Sequence, residues 1–322
     1  MHQSKITILS MLLSVWVFAK DVKPPIIFSK AVYVNANTTR IPFKVIDQLI
    51  VVEADLLGRS GNFIIDTGSL NLILNQRHFM DRKTYELDGM DRSGVHASMD
   101  NVKQQVLNAF QMNAITVKSL NADVIDLSHF EDTKKMKLLG IIGYSVLKDF
   151  EVFIDLYLNQ ITLTKVDRHG ERLTNKVYAE KIIDSVDFKL KRHSILLNGF
   201  IGKRPAKFVL DTGAEYNQLN EKIDPSIKAF FYPTKTMKLS DASGKSKQVT
   251  TGKLYRVQLN ESIYFGPMKT VLTNLRQMKQ AFGTTADGVL GFEFFKQQRT
   301  IINYKKQQLY FIAQPVIIEN SN

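Results

Sequence analysis

The sequence predicts a mainly β protein that consists of two homologous halves in tandem. Short apolar segments rich in branched and aromatic residues, separated by Gly, Asn, Asp and Ser, are typical of β-strands. A window around an Asp-Thr-Gly sequence occurs twice, and a later block that begins with two apolar residues and a Gly also occurs twice. The two kinds of segment alternate in the same order, which indicates a duplicated unit that covers most of the chain.

The composition excludes several classes of protein. The chain has 322 residues, of which 44% are hydrophobic and 23% charged, as in soluble globular proteins of about two domains. It contains no Cys, which excludes disulfides, thiol nucleophiles and Cys-ligated metal sites. The formal net charge is +12, but the basic residues are scattered. We therefore expect a solvated basic surface and no nucleic-acid partner.

The N-terminus has the pattern of an export signal. Lys5 precedes the mostly apolar stretch 6–19, and Val17 and Ala19 are suited to the −3 and −1 positions of a signal-peptidase site. The stretch is short for a membrane span, although an uncleaved anchor is the alternative. We expect a signal peptide over 1–19 and an exported chain, periplasmic or extracellular, without a stable membrane span after cleavage. The absence of Cys in an exported chain favours a bacterial envelope.

The repeat also predicts the domain boundaries. The windows 62–75 and 207–220 share Phe, Asp-Thr-Gly and a final Leu-Asn, and the blocks 141–163 and 289–311 align without a gap. A polar stretch lies between the copies. We expect a signal peptide and a tail at the ends, and two lobes joined by a linker. The boundaries are 1–19 for the signal peptide, 20–166 for the N-terminal lobe, 167–184 for the linker, 185–313 for the C-terminal lobe and 314–322 for the tail.

Strand patterns outnumber helical ones along the chain. Among the segments that predict strands are 49–52, 63–65, 106–110, 152–156, 195–197 and 208–210. The segments that predict helices are 76–85, 144–148, 221–230 and 292–297.

The duplicated Asp-Thr-Gly sequence predicts a shared pair of carboxyl groups. Gly68 and Gly213 permit a tight turn, in which the glycine N–H can bond the carboxylate of its own loop. The hydroxyls of Thr67 and Thr212 can reach across and lock the two loops together. Two carboxyls about 3 Å apart cannot both ionise, so they hold one proton between them. One then acts as a base toward water while the other protonates a carbonyl oxygen.

These motifs resemble those of aspartic peptidases, and most closely retropepsin-like domains fused in tandem, as in exported bacterial aspartyl proteases. The resemblance covers residues 41–311, nearly all of the mature chain. It implies two retropepsin-like β-barrel lobes in a bilobal arrangement with the active site between them, and an aspartic endopeptidase with no cofactor and no metal. It assigns Asp66 and Asp211 as catalytic residues. The matching supporting residues are Thr67, Gly68, Ser69, Thr212, Gly213 and Ala214, and the strands that complete the psi-shaped core contain Ile142, Gly143, Leu290 and Gly291.

The sequence departs from the family pattern in two respects. Retropepsins are usually symmetric homodimers, whereas both halves lie here on one chain, so we expect a monomer. Ser69 corresponds to Ala214 in the repeat, so the two carboxyls are not equivalent. A hydroxyl at Ser69 can bond the outer oxygen of Asp66 and favour its ionised form.

Two hairpins are candidates for flaps over the site. In the second half the segment 239–249 reads as a hairpin with Ser243 and Gly244 at its tip, and in the first half Gly94 and His96 lie at a similar distance from the Asp loop. Ordinary surface hairpins are the alternative interpretation.

The chemistry predicts hydrolysis of peptide bonds in extended segments of a peptide or protein substrate. A catalytically inactive peptide-binding or scaffold protein of the same fold is the alternative. A basic protein that binds polyanions is a third hypothesis.

Overall fold

The computed structural model describes residues 32–79, 85–86, 103–113, 115–174, 181–240, 246–276 and 283–314. The predicted signal peptide and nearly all of the predicted tail lie outside the described residues. The chain is mainly β, as predicted. The strands up to residue 165 are β1 (Val32–Asn35), β2 (Thr38–Ile46), β3 (Leu49–Leu56), β4 (Arg59–Ile65), β5 (Leu72–Asn75), β6 (Tyr85–Glu86), β7 (Lys103–Met112), β8 (Ile115–Ile125), β9 (Leu138–Ile142), β10 (Phe150–Asp155) and β11 (Gln160–Lys165).

The strands after residue 181 repeat much of this order. They are β12 (Ile182–Asp187), β13 (Lys189–Lys191), β14 (Ser194–Ile201), β15 (Arg204–Leu210), β16 (Asn217–Asn220), β17 (Phe231–Ser240), β18 (Ser246–Leu254), β19 (Val257–Gln258), β20 (Tyr264–Phe265), β21 (Met268–Thr273), β22 (Gly288–Leu290), β23 (Arg299–Asn303) and β24 (Gln308–Ile312). Strand β12 begins at Ile182, inside the stretch that the sequence assigns to the linker.

The helices are short. They are α1 (Gln76–Phe79), α2 (Ser128–Lys134), α3 (Tyr144–Leu147), α4 (Pro225–Lys228) and α5 (Phe292–Phe295). Helix α4 begins later than predicted because Pro225 is favoured at the first helical position, where Asp224 caps it by accepting the N–H of Ser226. The predicted helix over 76–85 is wrong at its end, where Tyr85 pairs in strand β6 with Gln104 of β7.

A closed barrel of six strands surrounds the core of the first half. Its strands follow the order β3, β4, β9, β5, β8 and β7, and β7 returns to β3 through the pair Asp55 and Gln111. Two of the pairings are parallel, β4 with β9 and β5 with β8, while β9 and β5 are antiparallel. The inward faces of these strands are apolar, with Phe63 and Phe110 in edge-to-face contact at 5.3 Å between ring centroids.

The second half uses the same pairing scheme. Strand β15 is parallel to β22, β22 is antiparallel to β16, and β16 is parallel to β21. These strands belong to a ten-stranded sheet that also contains the long hairpin β17–β18. In both halves, therefore, the strand that precedes an Asp-Thr-Gly sequence runs parallel to the strand that leads into an apolar-Gly corner. The two corners are Ile142-Gly143 and Leu290-Gly291.

The sheet that contains the barrel strands continues through six further strands, which join the two halves. The order β12, β24, β23, β10, β11 and β2 places the hairpin β10–β11 of the first half beside the hairpin β23–β24 of the second. Val152 lies opposite Ile302 at this junction. One hydrophobic cluster includes buried residues from both halves, among them Phe63, Phe208 and Phe311. Within the described part of the chain, no helix has the length and the apolar character needed to cross a membrane.

Candidate active site

Each Asp-Thr-Gly sequence follows directly on the buried end of a strand and is held at its first residue. The backbone N–H of Asp66, just after β4, donates to the carbonyl of Ile142 at 2.9 Å. The backbone N–H of Asp211, just after β15, donates to the carbonyl of Leu290 at 3.0 Å. The last residues of β9 and β22 thus fix where the two aspartates leave their strands.

The glycines of both loops orient the carboxyl groups. Gly68 N–H donates to Oδ1 of Asp66 at 2.8 Å, and Gly213 N–H donates to Oδ1 of Asp211 at 2.8 Å. Hydrogen bonds from the backbone favour a fixed rotamer of the aspartate side chain. The two loops are equivalent in this respect.

The two threonines link the loops through reciprocal hydrogen bonds. The backbone N–H of Thr67 donates to Oγ1 of Thr212, and the backbone N–H of Thr212 donates to Oγ1 of Thr67, both at 3.0 Å. Each hydroxyl donates onward to the opposite strand, that of Thr67 to Leu210 at 3.3 Å and that of Thr212 to Ile65 at 2.8 Å. Both side chains are buried. Four buried hydrogen bonds therefore hold one loop against the other.

This arrangement brings the carboxyl groups of Asp66 and Asp211 into contact. Each carboxyl lies against the glycine of the opposite loop, so the two groups are close enough to affect each other's ionisation. Asp211 is only 1% exposed, whereas Asp66 is half-buried. Burial raises the pKa of Asp211 well above its usual range, and the neighbouring charge of Asp66 raises it further. Burial therefore favours the protonated form of Asp211.

The residue after each glycine makes the two carboxyls unequal. The hydroxyl of Ser69 donates to Oδ2 of Asp66 at 2.7 Å. At the equivalent position of the other loop, the methyl group of Ala214 has no proton to donate. A hydrogen bond of this kind stabilises the ionised form of a carboxyl group. The bond from Ser69 and the burial of Asp211 therefore both favour a pair in which Asp66 is ionised and Asp211 is protonated.

The apolar-Gly corners pass close beneath the loops. A Cβ atom on Gly143 would lie 2.4 Å from the carbonyl oxygen of Asn71 and 2.6 Å from that of Ser69. A Cβ on Gly291 would lie 2.3 Å from the carbonyl oxygen of Ala214. The preceding residues Ile142 and Leu290 are buried. Only glycine permits this close crossing, which explains why both copies of the repeat have it.

Two buried residues near the pair were missed by the sequence analysis. His193 is 4% exposed, and its Nε2 lies 2.8 Å from the carbonyl oxygen of Gly68. Tyr304 is 2% exposed and packs edge-to-face on Tyr144, with ring centroids 5.2 Å apart. Burial raises the pKa of Tyr304 above its usual range, and the charges of both aspartates add to this. Each of the two residues is isolated in sequence, and no spacing rule points to either one.

The candidate flap residues Gly94, His96, Ser243 and Gly244 lie outside the described residues. The hairpin predicted for the second half is present on either side of its tip, since Ser240 of β17 pairs with Ser246 of β18. Among the residues that the structure describes, no three His, Asp or Glu side chains are grouped so that they could hold a metal ion.

Comparisons with known proteins give no family for the chain. No protein-family model matches it, and no curated protein matches it in sequence. The functional interpretation therefore depends on the geometry of the carboxyl pair.

Proposed function

We propose that the chain is an aspartic endopeptidase, related to retropepsins, whose two lobes contribute one carboxyl each to a single active site. The observation that carries this proposal is the closeness of Asp66 and Asp211, of which Asp211 is buried with a raised pKa and Asp66 accepts a hydrogen bond from the Ser69 hydroxyl. Two carboxyls with environments that differ in this way divide naturally into an acid and a base.

The proposed reaction uses a water molecule as the nucleophile. Ionised Asp66 takes a proton from the water as its oxygen attacks the carbonyl carbon of the peptide bond. Protonated Asp211 gives its proton to the carbonyl oxygen, which produces a neutral gem-diol. Asp66 then passes its proton to the amide nitrogen while Asp211 recovers a proton from the diol, and the C–N bond breaks. The products are a carboxylic acid and an amine, and both aspartates return to their starting states.

The proposed substrate is an extended segment of a polypeptide. Long antiparallel hairpins such as β17–β18 present backbone groups with which an extended chain can pair. Alternate side chains of a strand point to opposite sides, so a bound segment would be read at every second residue. We further propose export of the chain through its signal segment, and activity of a single copy, since one chain supplies both aspartates.

Substitution of each aspartate by Asn tests the proposal. Asn keeps the size and hydrogen-bonding ability of the side chain but cannot share the proton or act as a base. We expect Asp66→Asn and Asp211→Asn each to lower turnover of a casein-like protein and of a quenched peptide by about 10²–10⁴-fold. The double variant should be little worse than either single variant, because the two residues act as one unit.

A surface aspartate provides the matched control. Asp187 is exposed and accepts a hydrogen bond from Gln308 at 3.2 Å, so Asp187→Asn should retain full turnover. Circular dichroism establishes that each variant is folded, and a statine-type inhibitor should abolish the wild-type activity. A folded Asp66→Asn or Asp211→Asn variant that retains substantial turnover would show that the two loops do not form a catalytic pair.

The dependence of turnover on pH gives a second test. Because the reaction needs one proton on the pair, the rate should be bell-shaped between the two apparent titration steps, with an optimum on the acid side of neutral. A rate that continues to rise above about pH 9 contradicts a carboxyl pair, since both groups are then ionised.

A further inference from the structure

His193 is the one histidine in the described residues that touches an Asp-Thr-Gly loop. It lies in the turn between β13 and β14, and 125 positions separate it from Gly68, whose carbonyl it contacts. The Nε2 to oxygen distance is 2.8 Å and the side chain is 4% exposed. A contact of this length, shielded from water, is a strong restraint on the loop.

The contact fixes the protonation of the ring. A carbonyl oxygen only accepts, so Nε2 must carry the hydrogen. Nδ1 is buried and has no hydrogen-bond partner among the described atoms. A second proton would place an unpaired donor and a charge in the interior. Burial lowers the pKa of His193, against a smaller opposing effect from its bond to Gly68 and from Asp66, while Arg192 lowers it slightly. The ring is therefore neutral, with its proton on Nε2.

The hydrogen bond holds the peptide group that positions Ser69. The carbonyl side of the Gly68–Ser69 peptide accepts from His193, and its N–H donates to the carbonyl of Asp66 at 3.3 Å. The Ser69 hydroxyl then reaches Oδ2 of Asp66 at 2.7 Å. A rotation of this peptide group would move the hydroxyl away from the carboxylate.

We infer that His193 is a positioning residue that, through the Gly68–Ser69 peptide, keeps the Ser69 hydroxyl on Asp66 and so selects Asp66 as the base of the pair. The inference rests on the proposed peptidase function for its catalytic consequence. The hydrogen-bond chain itself can be tested without any turnover.

The other half of the chain has a different residue at this place. Gln48 precedes β3 as His193 precedes β14, and the turns that contain them each include left-handed residues, Asp47 with φ 48° and Arg192 with φ 56°. The Oε1 atom of Gln48 is buried and has no hydrogen-bond partner among the described atoms. The imidazole contact is thus present on the loop that carries Ser69, and the equivalent position of the repeat has Gln48 in place of a histidine.

The test compares two substitutions of His193. In His193→Gln the side-chain amide can place an N–H close to the original Nε2, whereas His193→Phe fills the space without a donor. His129→Phe is the control, because His129 is exposed and lies on helix α2. The values of kcat and KM are measured for each variant. Carbon-13 NMR of labelled aspartate is used to monitor the two titration steps of the carboxyl pair.

We expect His193→Phe to lower kcat about tenfold with little change in KM, the size expected for the loss of one buried hydrogen bond. The lower titration step of the pair should move to higher pH, as it should in Ser69→Ala. The double variant of His193→Phe and Ser69→Ala should have the same kcat and the same lower titration step as Ser69→Ala alone. His193→Gln should restore most of the wild-type behaviour, and His129→Phe should not differ from wild type.

The inference is wrong if folded His193→Phe leaves the titration of the pair unchanged, whether or not the protein hydrolyses peptides. Absence of turnover in the wild type would instead refute the proposed function. The NMR titration of the carboxyl pair would then still test whether His193 positions Ser69. Should His193→Phe fail to fold, nitrogen-15 NMR of the wild-type ring decides. A neutral ring protonated on Nε2 at pH 6 supports the inference, and a charged ring or a proton on Nδ1 overturns it.

Discussion

Gly213 lies against the carboxyl group of Asp66, the aspartate of the opposite loop. A Cβ atom on Gly213 would be 2.5 Å from Cγ of Asp66, and a Cβ on Gly68 would be 2.7 Å from Cγ of Asp211. Each glycine is therefore required by the carboxyl across from it, whereas its own φ lies outside the left-handed region that favours glycine. The space for the pair is set jointly by both copies of the motif.

Gly213→Ala should separate the two carboxyls without unfolding the chain. The added methyl group must displace Asp66, and a misplacement of about 1 Å in a catalytic group costs about 10²-fold in rate. Turnover of a quenched peptide measures the effect. Gly58→Ala is the control for a Gly-to-Ala change without a clash, because no atom lies within 4 Å of a Cβ added at Gly58; any loss there comes from its φ of 76°. Equal losses in the two variants would contradict the steric explanation.

The raised pKa of Asp211 predicts how stability depends on pH. The folded chain holds a proton on Asp211 more tightly than the unfolded chain does, because burial opposes ionisation. The free energy of unfolding should therefore fall as pH rises from about 3.9, the usual value for Asp, through the raised pKa.

Asp211→Asn removes this dependence on pH. The free energy of unfolding of the variant should therefore increase relative to that of wild type as pH rises across the same range. The slope from one proton is at most about 1.4 kcal/mol per pH unit. Urea denaturation at a series of pH values measures it. Parallel curves for the two proteins would mean that Asp211 releases its proton equally in both states.

The reciprocal bonds of Thr67 and Thr212 should contribute to stability through their hydroxyls. Thr67→Val keeps the shape of the side chain but leaves the buried N–H of Thr212 without its acceptor, which costs about 1–3 kcal/mol. Thr67→Ser retains the oxygen and should cost much less. Urea denaturation of both variants, of Thr212→Val and of the double Val variant gives the coupling energy. Strictly additive losses would show that the two hydroxyls do not act together.

The ion pair between Asp155 and Arg299 should hold the two halves together. Nη2 of Arg299 lies 2.6 Å from Oδ2 of Asp155, and the two side chains are 4% and 0% exposed. Arg299→Met leaves the buried carboxylate without this partner and should lower the free energy of unfolding by about 3–5 kcal/mol.

Lys305→Met is the matched control for this pair. Lys305 also bonds across the halves, to Asp149 at 2.6 Å, but its side chain is 30% exposed and that of Asp149 is 52% exposed. We expect a loss below about 1 kcal/mol. If both variants lose the same amount, burial does not determine the strength of these contacts.

The strands and the carboxyl pair could be predicted because their signals are local and duplicated. Asp66 and Asp211 stand in short motifs whose turn geometry follows from neighbouring residues, and the repeat shows that they occupy equivalent places. Helix α2 was missed because its sequence has no regular apolar face. Its Glu131 accepts hydrogen bonds from Asn75 at 2.9 Å and from the backbone of Leu138 at 3.1 Å, so distant partners stabilise it.

His193 was missed for a similar reason. A single histidine next to a strand carries no spacing that marks it, and its partner is a backbone carbonyl, which every residue has. A comparison of the two halves offers one signal, since the residue before β3 is Gln48 and the residue before β14 is His193. Where the surrounding strands of two repeat copies are alike, a residue that differs between the copies is a candidate for a role that only one copy has.

The difference between Ser69 and Ala214 makes the two ends of the proposed cleft unequal. In a homodimer with a two-fold axis, an extended peptide can lie across the carboxyl pair in either orientation with equal energy. A hydroxyl beside one carboxyl and a methyl beside the other remove that equivalence. The N-to-C polarity of a bound peptide then decides which aspartate meets the departing nitrogen. A site assembled within one chain can thus bind a peptide in one of its two directions in preference to the other.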